Sequence, residues 1–105
     1  MDVFKDARGA AAFAADKMKK VNLFDTTRMF CDVYGLEPGQ EQTAHAHAGS
    51  DKVYFVLEGE VTVQTPKEEI TLRPWDSIFI GPGEERAIIN KTNRPASMLV
   101  IINYP

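Results

Sequence analysis

Between Arg28 and Asn103 the chain is a succession of short runs in which apolar and polar residues alternate, each cut off by glycine or proline. Residues 28–34 put Met29, Cys31 and Val33 on one side and Arg28, Phe30, Asp32 and Tyr34 on the other. A two-residue period means a strand. Gly35 and Pro38-Gly39 are expected to end it. Residues 52–57 form a second strand, rich in Val, Tyr and Phe, and Glu58-Gly59 is a hairpin turn where glycine supplies positive φ. Strands over 61–65, 69–72, 77–80, 86–91 and 97–103 follow, with turns at Pro66-Lys67, Pro74 to Asp76, Gly81-Pro82-Gly83 and Asn93-Arg94-Pro95. Many short strands with no crossover helix between them predict an all-β sandwich or barrel rather than a parallel α/β sheet.

Upstream, Phe4, Ala7, Ala11, Ala14 and Met18 recur at helical spacing, and alanine favours helix, so residues 3–15 read as a short helix weakened by Gly9. From Lys19 onward the pattern is extended. One domain over residues 1–105 is expected, with residues 1–18 as an N-terminal arm and 19–105 as the barrel. With 44% hydrophobic residues the chain has material for a core. Twelve basic against 15 acidic side chains give a net charge of −3, which argues against a nucleic-acid partner held by counterion release. No apolar run approaches the roughly 18 residues that span a bilayer, so no membrane partner is expected. The charged N-terminus does not resemble an export signal, and one cysteine, Cys31, forms no internal disulfide. Both point to the cytoplasm, with Cys31 as a small core residue.

The chemistry concentrates at His45 and His47, the only histidines. At i and i+2 on a strand both imidazoles face one centre, and imidazole suits transition metals. A bare His-x-His is more often a surface or pocket pair than a metal site. The carboxylate pairs Glu68-Glu69 and Glu84-Glu85 fall in turns and read as solvated. No phosphate-cradling loop or serine triad motif is present.

The wider spacing resembles the cupin superfamily. Gly39, five residues, His45-Ala46-His47, four residues, Lys52, six residues and Gly59 follow that family's first motif. Trp75, Gly81, Gly83, Arg86 and Asn90 fall on its second, with Pro82 one place late. The resemblance runs from Arg28 to Ile102. It implies a double-stranded β-helix, or jelly-roll barrel, with a short N-terminal helix, and a metal held by three His and one Glu. Here Lys52 stands at the Glu position, Arg86 at the third His position and Trp75 at the first Gly of the second motif. With neutral imidazoles the four ligand positions carry about +2, which disfavours a dication unless anions compensate. Asp51 offers a third metal ligand through a one-residue slip, but such a slip normally sends the side chain to the other face.

These substitutions suit an anion: Arg86 presents a planar fork and Lys52 a point charge. Tyr54 and Val56 continue the wall, and Trp75 could form an apolar lid. The expected ligand-binding set is therefore His45, His47, Lys52, Tyr54 and Arg86. The bland alternative has Lys52 and Arg86 leaning out to pair with Asp51, Glu84 or Glu85. Three functions stay open. The first is a binding module for a small organic anion. The second is a metal-dependent enzyme of oxygenase or isomerase type, holding Zn, Ni, Fe or Mn on His45 and His47. The third is a structural or regulatory dimer with a vestigial pocket. The resemblance also implies a homodimer, and the apolar runs Ile88-Ile89 and Met98 to Ile102 fit strands buried on both faces.

Overall fold

The computed structural model describes residues 2–105. Among them are one helical turn, α1 (Ala7–Ala10), and nine strands: β1 (Lys19–Asp25), β2 (Met29–Leu36), β3 (Glu41–His45), β4 (Lys52–Glu58), β5 (Val61–Gln64), β6 (Glu69–Leu72), β7 (Ser77–Ile80), β8 (Arg86–Ile89) and β9 (Ala96–Asn103). They form two antiparallel sheets, in the orders β1-β2-β9-β4-β7 and β3-β8-β5-β6. No helix of the described residues is long and apolar enough to cross a membrane.

The alternation read from the sequence becomes the two faces of the five-stranded sheet. Lys52, Tyr54 and Val56 on β4 register beside Ile102, Val100 and Met98 on β9. β9 in turn sets those residues beside Phe30, Asp32 and Tyr34 on β2. This face looks into the barrel. There Tyr34, Leu36, Tyr54, Val56, Met98 and Val100 meet Val61, Val63, Leu72 and Ile88 of the other sheet in the main core. At roughly 1.5–3 kcal/mol for each fully buried large apolar side chain, this core dominates the favourable side of folding.

On the outer face, Leu23, Cys31 and Val33 form a second cluster, covered by Ala7, Ala10 and Ala11 of the arm. The β9 residues therefore divide. Met98, Val100 and Ile102 are buried inside the barrel, while Leu99 and Ile101 lie half-buried on the outer face. The buried Cys31 thiol is pushed up in pKa, first by burial and then by Asp32, as befits a core residue.

Three features depart from the sequence reading. The helix expected over 3–15 is a single turn, capped by the Asp6 carboxylate accepting from the Gly9 N–H. Beyond it the arm lies flat on the sheet, where its carbonyls find other partners: the Gln40 side chain donates to Ala14 O at 2.7 Å. Gly35 does not stop β2, which runs on to Leu36. Gly35 instead gives room to the arm, since a Cβ there would collide with the Ala12 carbonyl. Gly35→Ala should therefore cost about 1–3 kcal/mol, the usual range for overpacking. Chemical denaturation should show it as a lower midpoint with an unchanged slope.

Trp75 is the third departure. It sits at φ 75°, the left-handed region a glycine adopts freely, and it is the one non-glycine among the described residues to do so. Its N–H donates to Val56 O at 2.9 Å, and its ring packs edge-on to Phe55 with centroids 5.3 Å apart. It is 71% exposed and does not cover the barrel interior as a lid would.

Candidate ligand site

The inward face of β4 and the first residue of β8 bring two cations into the barrel. Arg86 is 1% exposed and Lys52 is 3% exposed. Arg86 Nε donates to Tyr54 Oη at 3.1 Å and Nη1 donates to the His45 carbonyl at 3.0 Å. Nη2 is buried and has no partner among the described residues. Lys52 Nζ stands 5.4 Å from the centre of the Tyr54 ring, a cation–π contact. The ion pairs found among the described residues, Lys5–Asp2, Arg8–Glu58 and Lys91–Glu69, include neither cation. Lys52 and Arg86 thus point inward and do not pair with Asp51, Glu84 or Glu85, all of which are exposed.

His45 closes β3, and its Nδ1 donates to the Thr43 carbonyl at 2.9 Å. That bond fixes the hydrogen on Nδ1 and leaves Nε2 with a lone pair. His47 lies past the end of the strand, exposed, where its carbonyl accepts from the Gly83 N–H at 2.9 Å. The two rings nevertheless meet edge to face with centroids 5.1 Å apart. Both imidazoles are held below their ordinary pKa of 6.5, first by burial, then by the Arg86 charge with a smaller push from Lys20. They are neutral at pH 7.

The signs of two pH effects follow. For folding, a histidine whose pKa is depressed stabilises the native state above its unfolded pKa of about 6.5, and that contribution is lost as the pH falls through the folded value. For ligand binding, an anion placed beside the pair would raise both pKa values, so it would bind more tightly as the pH falls from 8 to 5.5. Calorimetric titration with a small carboxylate at the two values should show this strengthening with net proton uptake.

Sequence reasoning missed Tyr34, Gln42, Lys20 and Asp32. Tyr34 is buried, and its hydroxyl is pushed up to about 12, chiefly by burial and then by Asp32. Tyr54 is pushed up as well, by burial first and by Tyr34 second. Burial also lowers Arg86. Lys20 Nζ sits 5.2 Å from the Tyr34 ring centre. Asp32, the inward carboxylate of β2, accepts from Asn22 Nδ2 at 2.8 Å and forms no ion pair with Lys52 or Arg86. The alternation of β2, which puts Phe30, Asp32 and Tyr34 on one face, was the available signal for Tyr34 and Asp32.

A metal of the three-His, one-Glu kind does not fit these residues. Arg86 keeps its proton and has no lone pair to give, and Lys52 has none as an ammonium. Among the described residues no three His, Cys, Asp or Glu side chains cluster, so Asp51 does not join His45 and His47. Asp51 is exposed outside the strands, with its backbone N–H held by Asn103 Oδ1 at 2.6 Å. A groove of about 610 Å³ beside β6 and β7, lined by Lys67, Ile70, Ile78, Phe79 and Glu84 among others, includes none of the expected site residues.

Asn90, at the second motif's last position, is a structural pin. It is fully buried, donates to Leu36 O at 3.0 Å and Arg94 O at 2.7 Å, and accepts from the Thr92 N–H and hydroxyl. Asn90→Ala strands several buried groups at once and should cost about 2–4 kcal/mol, measured by denaturant titration.

Comparison with known proteins agrees with this architecture. The family model described as "Cupin domain" matches residues 32–102. The crystal structure of TT1209 from Thermus thermophilus is similar, with 41% identity, a TM-score of 0.91 and 95% coverage of both chains. A double-stranded β-helix protein from Klebsiella pneumoniae shares the fold at 16% identity, TM-score 0.89, over 98% of this chain and 90% of that one. Among curated proteins, the tetracenomycin polyketide synthase protein TcmJ of Streptomyces glaucescens is 34% identical over 65% of this chain. An oxalate-binding protein of Thermotoga maritima is 26% identical over 84% of this chain and 72% of its own length. The chain spans 46% of TcmJ, about half of that relative's length. With its family model matched across both sheets, the chain belongs to the cupin family.

Proposed function

We propose that this cupin binds a small organic anion inside the barrel, through Arg86 and Lys52, without a metal. The observation that carries the reading is the Arg86 guanidinium, 1% exposed, with Nη2 unpartnered and no carboxylate paired to it. Burying a cation without a counter-ion costs several kcal/mol, and a bound carboxylate removes most of that cost. Tyr54 orients the fork through Nε, Lys52 adds charge, and the neutral His45 and His47 offer ring nitrogens at the rim. The free Nη2 of Arg86 is closed off from solvent, so entry requires rim side chains to move aside. The Thermotoga maritima relative described as oxalate-binding supports a carboxylate ligand. Thermal-shift and calorimetric titration with acetate, oxalate, succinate and phosphate test the reading. A ligand at a hundred times its Kd should add about 2.7 kcal/mol of stability. Failure of all four anions to bind, on protein shown to be free of endogenous ligand, contradicts it.

The assembly reading is a homodimer through the outer face of the five-stranded sheet, as the family resemblance implies. Phe79 is 59% exposed there, on the edge strand beside the half-buried Val53. Phe79→Asp should convert a dimer to a monomer in sedimentation, because an unpaired carboxylate in an apolar contact is costly. A parent that sediments as a monomer at all accessible concentrations rules this out. The free, buried Cys31 fits a reducing, cytoplasmic setting.

A further inference from the structure

Two buried side-chain polar atoms lack partners among the described residues, Nη2 of Arg86 and Oε1 of Gln42. They belong to neighbouring strands: on β3 and β8, Gln42 registers with Ile88 and His45 with Arg86. Tyr34 lies near both, since the Arg86 charge and the Gln42 side chain each lower its hydroxyl pKa against the larger effect of burial. One ligand that meets both atoms must accept at Arg86 and donate at Gln42. The free atom of the amide is its oxygen, and an ionised carboxylate accepts only, so oxalate or succinate would leave Oε1 unpaired. A hydroxyl both donates and accepts, so it meets the Gln42 amide whichever way round its oxygen and nitrogen lie. An ammonium group meets one orientation only and would sit among like charges.

We propose that the ligand is a hydroxycarboxylate, its carboxylate taken by Arg86 and its hydroxyl by Gln42, an inference that rests on the anion-site reading above. Gln42 is then a specificity-determining residue. A buried group left unpaired by the wrong ligand discriminates far better than a lost apolar contact does. The test is calorimetric titration with lactate against propionate and with malate against succinate. The parent should bind the hydroxy acid of at least one pair about tenfold or more tightly than its deoxy analogue. Gln42→Leu should erase that preference while still binding the deoxy acid. Gln42→Met, closer in shape, replaces it if the leucine variant fails to fold. Equal binding within both pairs by the parent overturns the hydroxyl assignment and leaves the anion site standing. A preference that survives at Gln42→Leu or Gln42→Met overturns the role of Gln42. Binding of none of these four acids overturns this inference; the anion reading falls with it only if acetate, oxalate and phosphate also fail to bind.

Discussion

Lys52→Met is expected to make the protein more stable and to weaken its hold on carboxylates. Lys52 is 3% exposed, with neither a side-chain hydrogen bond nor an ion pair to any described residue, and its Nζ keeps only a narrow contact with solvent. Methionine keeps an unbranched apolar stem of similar reach and removes the uncompensated charge. Replacing buried charge by well-packed apolar atoms commonly gains about 1–4 kcal/mol, and losing the Tyr54 cation–π contact takes back about 1. A net gain of about 1–2 kcal/mol would raise the midpoint by roughly 4–16 °C in a domain of this size. Binding of oxalate should fall about tenfold, the cost of one charge-assisted contact. Calorimetric scanning and titration of parent and variant read both effects. An unchanged or lower midpoint with intact binding would mean that Lys52 is compensated in a way the fold does not reveal.

The double variant Lys52→Glu with Arg86→His should turn the same interior into a metal site. It adds a carboxylate and an imidazole to the existing pair and moves the formal charge of the four positions from +2 to −1. Outer-shell partners alone are commonly worth about 10–100-fold in metal affinity. Two added direct ligands should therefore exceed a hundredfold for Zn²⁺ or Ni²⁺, read by competition with a chromophoric chelator. Tyr54 Oη and the His45 carbonyl lose their guanidinium donor in this variant, so its folding is checked by circular dichroism first.

The barrel was legible because β2, β4, β7, β8 and β9 alternate cleanly or sit between unmistakable turns. β3 does not stand out as a strand of its own. Its centre, Gln42-Thr43-Ala44, is small and polar, and its register with β8 shifts between Gln42 and His45. β1 was legible only as extended chain, because the irregularity between Asn22 and Phe24 breaks its period. The arm misled because alanine favours helix locally, whereas a flat packing against Gly35 decides its course.

The site divides in the same way. The motif spacing placed His45, His47, Lys52 and Arg86 together, and along β4 the period carried Tyr54. Tyr34 and Gln42 reach the same interior from β2 and β3. A period along one strand says which residues share a face, but not which strands lie opposite one another. Trp75 illustrates the reverse case. The motif flagged an expected glycine there, and the positive φ gives the physical reason for it.

The central claim is that the barrel interior holds an organic anion in place of a metal. Native mass spectrometry with elemental analysis on gently purified protein tests it most directly. The expected result is substoichiometric metal, with a small organic acid that is released on denaturation or that rebinds when supplied. A stoichiometric divalent metal that survives chelator treatment would contradict the claim.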